Sequence, residues 1–382
     1  MLTVSVLWTL LILVATVAAT PVLDRALGRS ACWALAVLYL AAAAALLPAT
    51  SSVLSGAGDD ALTSFSQSWA PQWGVELAFR ADGIGIVFSM IALVIGAVVL
   101  AYSSHYLERG RQLSFSLVMA LFTLSMVGLV LADDLVLLFI CWELTSIASF
   151  LLIARSGAAG QAASLRTLLI TFLGGLSLLI AVGLMVMRLG TTSLQEGIAS
   201  DIWSQDPAFT SLVALLVGFA ACTKSAQFPF HVWLPDAMAA ATPVSAYLHA
   251  AAVVKAGIFL LLRFSPAFHD VLAWNVLLIV SGLITAFVGG LLALQQRDLK
   301  KLMAYSTVSQ LGLIVTVIGV GTEAAILAAV IHTIAHALFK SGLFMMVGVI
   351  DHGAQTRELR RMPALLRSMP GAFAVTLLGC MS

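Results

Sequence analysis

Polar and apolar positions in this chain come in long blocks. Near-continuous apolar runs fall at 2–19, 31–48, 84–102, 113–132, 134–153, 167–188, 211–228 and 243–263, with three more at 274–295, 302–320 and 323–350. A twelfth opens at Gly371 and reaches Ser382. A helix rises 1.5 Å per residue, so about 18–20 apolar residues cross the roughly 30 Å hydrocarbon core of a bilayer. The pattern predicts an all-α fold, a polytopic transmembrane helix bundle of about 11 complete spans plus a partial twelfth. One span does not end cleanly. The run at 211–228 continues through Pro229 and Pro235 to Ala240, and each proline removes a backbone donor and clashes with the preceding turn. This segment is predicted to be one proline-broken helix, with its break between Gln227 and Pro235. The polar stretch 49–80, with Trp69 and Trp73, fits a short hairpin or an interfacial segment. Nothing reads as a linker, so 1–382 is expected to be a single transmembrane domain.

Composition agrees with that class. The chain is 61% hydrophobic and only 10% charged, against roughly 25% charged in soluble domains, and its mean hydropathy is +1.06. A net charge of +1 gives no electrostatic footing for nucleic acid. Cys32, Cys141, Cys222 and Cys380 sit in apolar segments at unrelated spacings, which fits neither a disulfide framework nor a metal or iron–sulfur site. There is no phosphate loop, dinucleotide fingerprint, haem motif or nucleophile elbow. The chain is therefore expected to be no enzyme in its own right and to hold no cofactor or metal. The first run lacks a basic stretch before it and reads as a retained helix rather than a cleaved signal.

The basic residues set an orientation. Of 19 lysines and arginines, 13 fall in the loops after the first, third, fifth, ninth and eleventh spans: Arg25, Arg29, Arg109, Arg111, Arg155, Arg166, Arg297, Lys300, Lys301, Arg357, Arg360, Arg361 and Arg367. The opposite loops hold three, Arg80, Arg188 and Arg263, and three lysines lie inside spans. The bias places the basic loops in the cytoplasm and the N-terminus outside, in a cell (inner) membrane. Lys300 and Lys301 read as orientation charges.

The intramembrane charges carry the chemistry. A lysine at the bilayer centre costs roughly 2.5–3.5 kcal/mol on insertion scales, so it is expected to face a protein interior or a polar cavity. Lys224 and Lys255 both lie near the midplane by position in their runs, and three prolines separate them. Glu143, nine or ten residues into its own run, is at the same depth. A structural ion pair with Lys224 and a proton-relay pair are both open readings. His332, His336 and Lys340 stand at i, i+4 and i+8, on one helix face. Two histidines so spaced could ligate zinc, but Thr333 stands where a zincin has glutamate and no third ligand is evident. A neutral core pair and a proton wire remain, and the three titratable groups on one apolar helix favour the wire. His249, six residues before Lys255, is a candidate to join it.

Four sets of residues carry a family resemblance. They are Trp142-Glu143-Leu144-Thr145-Ser146; the run from Lys224 through Trp233-Leu234-Pro235-Asp236-Ala237-Met238 to Lys255; Arg297-Asp298-Leu299-Lys300 with Ala304-Tyr305-Ser306-Thr307; and His336-Ala337-Leu338-Phe339-Lys340. From about Ala81 onward the chain resembles the antiporter-like, proton-translocating membrane subunits of respiratory complex I (NADH-quinone oxidoreductase), membrane-bound hydrogenases and Mrp-type sodium/proton antiporters. It looks most like the A-type subunit of the Mrp complexes. The resemblance implies a Glu143–Lys224 ion pair, with Lys255 and His249 carrying protons along the midplane and His332, His336 and Lys340 continuing the path. It also implies other membrane subunits as partners in a hetero-oligomer, with protons and sodium as candidate cargo; redox-driven pumping by complex I or a hydrogenase is the alternative. The family fold has two inverted five-helix repeats, the first within 84–263. The second, 274–382, is incomplete, as expected of a fragment or truncated form of a longer subunit.

Overall fold

A computed structural model of the chain describes residues 5–56, 60–107 and 112–382. Arg109 and Arg111, counted above among the loop charges, lie outside the described residues. The main helices are α1 (Ser5–Leu27), α2 (Ala31–Ala45), α3 (Gly83–Tyr106), α4 (Gln112–Leu131), α5 (Leu135–Ala154), α6 (Ala158–Leu189) and α7 (Pro207–Lys224). They continue as α8 (Thr242–Ala250), α9 (Val253–Phe268), α10 (Leu272–Leu294), α11 (Leu299–Val320), α12 (Glu323–Ala354) and the shorter α13 (Pro370–Met381). Ten helical stretches among the described residues are long and apolar enough to cross a membrane, and the first, Ser5–Ser55, contains both α1 and α2. The chain is a multi-pass, all-α helix bundle.

Short polar residues start these helices. Asp82 accepts from the Gly85 amide at 2.8 Å, Asp134 from Val136 and Leu137 at 2.8 and 2.9 Å, and Asp298 from Lys301 at 3.0 Å. Each satisfies amides that have no partner within the helix, and each places negative charge at the positive end of the helix dipole. Helices adjacent in sequence pack side by side, and α10 and α11 approach closely along a glycine seam. A Cβ on Gly289 would stand 2.6 Å from the Ser309 amide nitrogen. Small residues allow such backbone approach where lipid offers no hydrophobic drive to association. The stretch 49–80 forms two short antiparallel pairings, Ser64–Phe65 with Phe79–Arg80 and Ser68–Ala70 with Val75–Glu76.

The crossing made by α8 and α9 is the centre of the bundle, and its most apolar 18-residue window is wholly buried. It packs against α3, α4, α5, α7, α11 and α12. Arg263 on α9 fastens it at one end, making a two-pronged ion pair with Asp82, the N-cap of α3, whose second bond is 3.0 Å. That guanidinium also lies 5.1 Å from the Phe259 ring.

Two details differ from the sequence expectation. The break after Lys224 starts at Ser225, earlier than Gln227, because Ala226 takes a left-handed conformation (φ 53°). The run at 243–263, expected to be one continuous helix, is interrupted between α8 and α9 at Ala251 and Ala252. There the Ala251 and Ala252 amides both reach back to the Tyr247 carbonyl, at 3.0 and 3.2 Å.

Candidate functional site

The site grows from these two interruptions. Beyond Lys224 the chain continues as short helical turns at Phe230–Val232, Trp233–Asp236 and Ala237–Ala239. Broken backbone at membrane depth must find partners inside the protein, and here it does. Trp233 Nε1 donates to the Thr223 carbonyl at 2.9 Å, Gln227 Nε2 to the Ser225 carbonyl at 2.8 Å, and the Phe228 amide to Thr285 Oγ1 on α10 at 2.8 Å. The break leaves Lys224 as the last residue of α7, where the negative end of the helix dipole favours a cation.

Lys224 is fully buried. Its ammonium donates to the Trp142 carbonyl and, at 2.5 Å, to Thr145 Oγ1, and it lies 4.0 Å from the centre of the Trp142 ring. Glu143 is on the same stretch of α5. The expected Glu143–Lys224 pair makes no direct hydrogen bond: the ammonium is held by Trp142 and Thr145, while the two side chains remain in electrostatic range. Glu143 Oε1 is buried with no hydrogen-bond partner. Its carboxyl group fills the space beside Gly175 on α6, where a Cβ would stand 2.7 Å from Glu143 Cδ. The neighbouring Gly174 makes room in the same way for Thr223, the residue before the lysine. Two successive glycines thus let α6 close over the Glu143–Lys224 region.

A second cluster sits at the other interruption. Lys255, in the first turn of α9, is fully buried, and its Nζ is 3.0 Å from His336 Nδ1 on α12. His336 is also fully buried, and its Nε2 has no hydrogen-bond partner. One turn away on each side, His332 Nε2 meets Gln310 Oε1 at 2.7 Å and Lys340 Nζ donates to Ser306 Oγ at 2.7 Å. His249, in the last turn of α8, is buried with both ring nitrogens unpartnered, its ring 4.8 Å from that of Phe344. His336 is within electrostatic reach of Lys255, Lys340, His332 and His249 together. Five of the seven expected residues thus form one cluster, while Glu143 and Lys224 form a second on α5 and α7. The two clusters meet where α9 crosses α7: a Cβ at Gly257, two residues after Lys255, would stand 2.7 Å from the Ser225 amide.

Sequence reasoning missed three parts of this site. Lys300, assigned above to the basic loop, is 2% exposed, and its Nζ donates to the Met238 and Ala240 carbonyls at 3.2 and 2.6 Å. It is corrected here from a loop charge to a buried one. The Gly174-Gly175 pair could have been found, since adjacent glycines in an apolar helix invite a close approach. The interruption at Ala251–Ala252 left no signal, because alanine is the strongest helix former. No group of three or more His, Cys, Asp or Glu that could hold a metal occurs among the described residues.

Helices broken within an apolar bundle beside buried lysines, histidines and a carboxylate mark a class of polytopic membrane proteins with a polar interior. The family described as "NADH:quinone oxidoreductase/Mrp antiporter, TM" matches residues 132–382, and the chain belongs to it. It is 41% identical over 331 residues, 82% of its length, to "Na(+)/H(+) antiporter subunit A1" of Staphylococcus aureus (strain JH9). The alignment covers 41% of that protein, so the chain spans about two fifths of the length of the curated relatives it matches. Among solved structures, it superposes with a TM-score of 0.91 on a chain of the Mrp complex from Dietzia sp. DQ12-45-1b. The sequences are 53% identical, and the match covers 97% of this chain and 40% of that one. A chain of the membrane-bound sulfane sulfur reductase, an archaeal respiratory complex, shares the fold alone, with a TM-score of 0.87 and 21% identity over 100% of this chain and 78% of that one.

Proposed function

We propose that this chain is the proton-translocating part of a multisubunit sodium/proton antiporter, and that Glu143, Lys224, His249, Lys255, His332, His336 and Lys340 carry its protons. The observation that carries this reading is the contact of Lys255 with His336, two fully buried titratable groups 3.0 Å apart at a helix interruption. Neither group is worth burying for packing alone, since an uncompensated charge in a low dielectric costs several kcal/mol (about 3–5 when a buried pair loses one partner). Each neighbour's charge acts on the next, so a proton added at one end favours release at the other. When Glu143 takes a proton, its hold on the Lys224 charge weakens and the lysine can pass its own proton on. The names of the relatives above support the antiporter over a redox pump.

On this reading the basic loops face the cytoplasm and the N-terminus faces outward in the cell membrane, with other membrane subunits alongside. The two interrupted crossings, α7 and α8–α9, belong to the first of two inverted repeats within one transmembrane domain, and 274–382 begins the second. The test is sodium-driven proton flux, read by a pH-sensitive dye in everted vesicles that hold the full complex. Lys224→Ala is expected to abolish flux at normal assembly. Wild-type flux from that variant would reduce the lysine to a structural partner.

A further inference from the structure

The interruption between α8 and α9 is built around Tyr247, a residue the relay above does not use. Tyr247 lies in the last turn of α8, and its carbonyl accepts from the Ala251 amide at 3.0 Å and from the Ala252 amide at 3.2 Å. The second bond spans five residues instead of four, a widened turn of the kind that recurs at functional sites in helices. The Lys255 amide then donates to the Ala252 carbonyl at 2.9 Å, so α9 starts afresh and does not continue the faces of α8. The widened turn thereby sets the direction in which Lys255 leaves the first turn of α9 toward His336.

The Tyr247 side chain ties that turn to α3 and α4. It is fully buried, and its Oη donates to the Ala92 carbonyl at 3.3 Å and lies 2.7 Å from Thr123 Oγ1. Its ring meets Phe122 edge to face with centroids 5.5 Å apart. It also lies on Gly96 of α3, where a Cβ would stand 3.2 Å from Tyr247 Cε2. Two residues further, about 200° round the helix, His249 turns the opposite way, against Phe344 of α12. One face of α8 is thus anchored while the other carries a titratable ring.

We infer that Tyr247 is a positioning residue of the relay: its hydroxyl, held by Thr123 and Ala92, fixes the widened turn and with it the places of His249 and Lys255. The inference rests on the function proposed above. A core tyrosine that only fills space would contribute to stability and leave transport alone. Tyr39 supplies the comparison. It is also fully buried, its hydroxyl donates to the Met119 carbonyl at 3.1 Å, and its ring lies on the same Gly96. It stands on α2, however, outside the interrupted crossing.

The test compares Tyr247→Phe with Tyr39→Phe in the full complex, reconstituted in liposomes. Each removes one buried hydroxyl and keeps the ring, so both should lower the unfolding temperature to a similar extent. Tyr247→Phe alone should lower sodium-driven proton flux about three- to tenfold, the factor that one hydrogen bond of ordinary net strength represents. It should also move the pH of half-maximal flux by about half a unit or more. Protonation of the relay follows spacings such as the 3.0 Å between Lys255 Nζ and His336 Nδ1, and a loosened turn alters them. Thr123→Val should act in the same direction, and adding it to Tyr247→Phe should cost nothing further, since both break one contact. Equal flux and equal pH profiles for Tyr247→Phe and Tyr39→Phe would overturn the inference, as would losses that multiply in the double variant. If Tyr247→Phe fails to assemble, Thr123→Val, which keeps the tyrosine, decides by the same two readouts. Lys224→Ala run in parallel keeps the two claims apart. Wild-type behaviour of Tyr247→Phe beside an inactive Lys224→Ala removes only the positioning role, whereas an active Lys224→Ala removes the relay itself.

Discussion

Gly175 is where transport and stability can be separated most cleanly. A methyl group there would overlap Glu143 Oε1 and stand 2.7 Å from Cδ. The obstacle is the far end of a flexible side chain, so the carboxyl group can swing aside without moving backbone. An ordinary non-bonded contact needs about 3.5 Å, so the group must move by roughly 1.5 Å. At an effective dielectric of about 20, a carboxylate and an ammonium about 5 Å apart lose about 0.8 kcal/mol of attraction when drawn apart by that much, or roughly fourfold. Alanine for glycine in a helix returns about 0.5–1 kcal/mol. Gly175→Ala should therefore leave the melting temperature of the purified complex nearly unchanged while sodium-driven proton flux falls about fourfold or more. The control is on the same helix: at Gly183 nothing lies within 4 Å of the added methyl, and Gly183→Ala should match the wild type in flux. Equal flux from Gly175→Ala and Gly183→Ala would refute the claim that the seat of the Glu143 carboxylate matters.

Other substitutions probe the remaining contacts. Gly174→Ala meets Thr223, whose Cβ would be 3.0 Å away; a β-branched side chain cannot turn aside freely, so we expect about 1–3 kcal/mol of destabilisation, read by thermal unfolding. Thr145→Val deletes the 2.5 Å acceptor of Lys224, and flux should fall while complex assembly, followed by co-purification, is retained; unchanged flux would make that bond dispensable. Trp233→Phe leaves the Thr223 carbonyl without its 2.9 Å donor and should cost about 1–3 kcal/mol in unfolding experiments. Arg263→Ala strips Asp82 of its two-pronged partner at the end of α9; the guanidinium is 13% exposed, so we expect a loss of about 1–2 kcal/mol in complex stability with little direct effect on proton conduction.

The crossings were legible because a bilayer admits only long apolar helices, and the runs from Gly83 to Tyr106 or Leu272 to Leu294 admit no other reading. The buried charges were legible for the complementary reason: Lys224 and Lys255 cost too much at that depth to be incidental. What escaped depends on packing. Pro229 and Pro235 announced a break, yet its start was set by Ala226 in a left-handed turn, a conformation that nothing in alanine favours. Ala250-Ala251-Ala252 is a strong helix sequence, yet it is interrupted where α8 and α9 pack among six neighbouring helices. Lys300 and Lys301 are adjacent and chemically equal, but successive helix positions point about 100° apart. One therefore turns into the protein while the other stays exposed. Sequence alone cannot choose between them.

The proposed relay turns on Lys255, which links the interruption between α8 and α9 to His336 on α12. The most direct measurement is sodium-driven proton flux by the purified full complex in liposomes, with Lys255→Met compared against the wild type at equal reconstitution. Methionine keeps the length and apolar body of the side chain and removes only the titratable amine. The account predicts an assembled complex whose flux falls about 100-fold, the equivalent of about 2.7 kcal/mol in barrier. An assembled Lys255→Met complex that moves protons at the wild-type rate would contradict it.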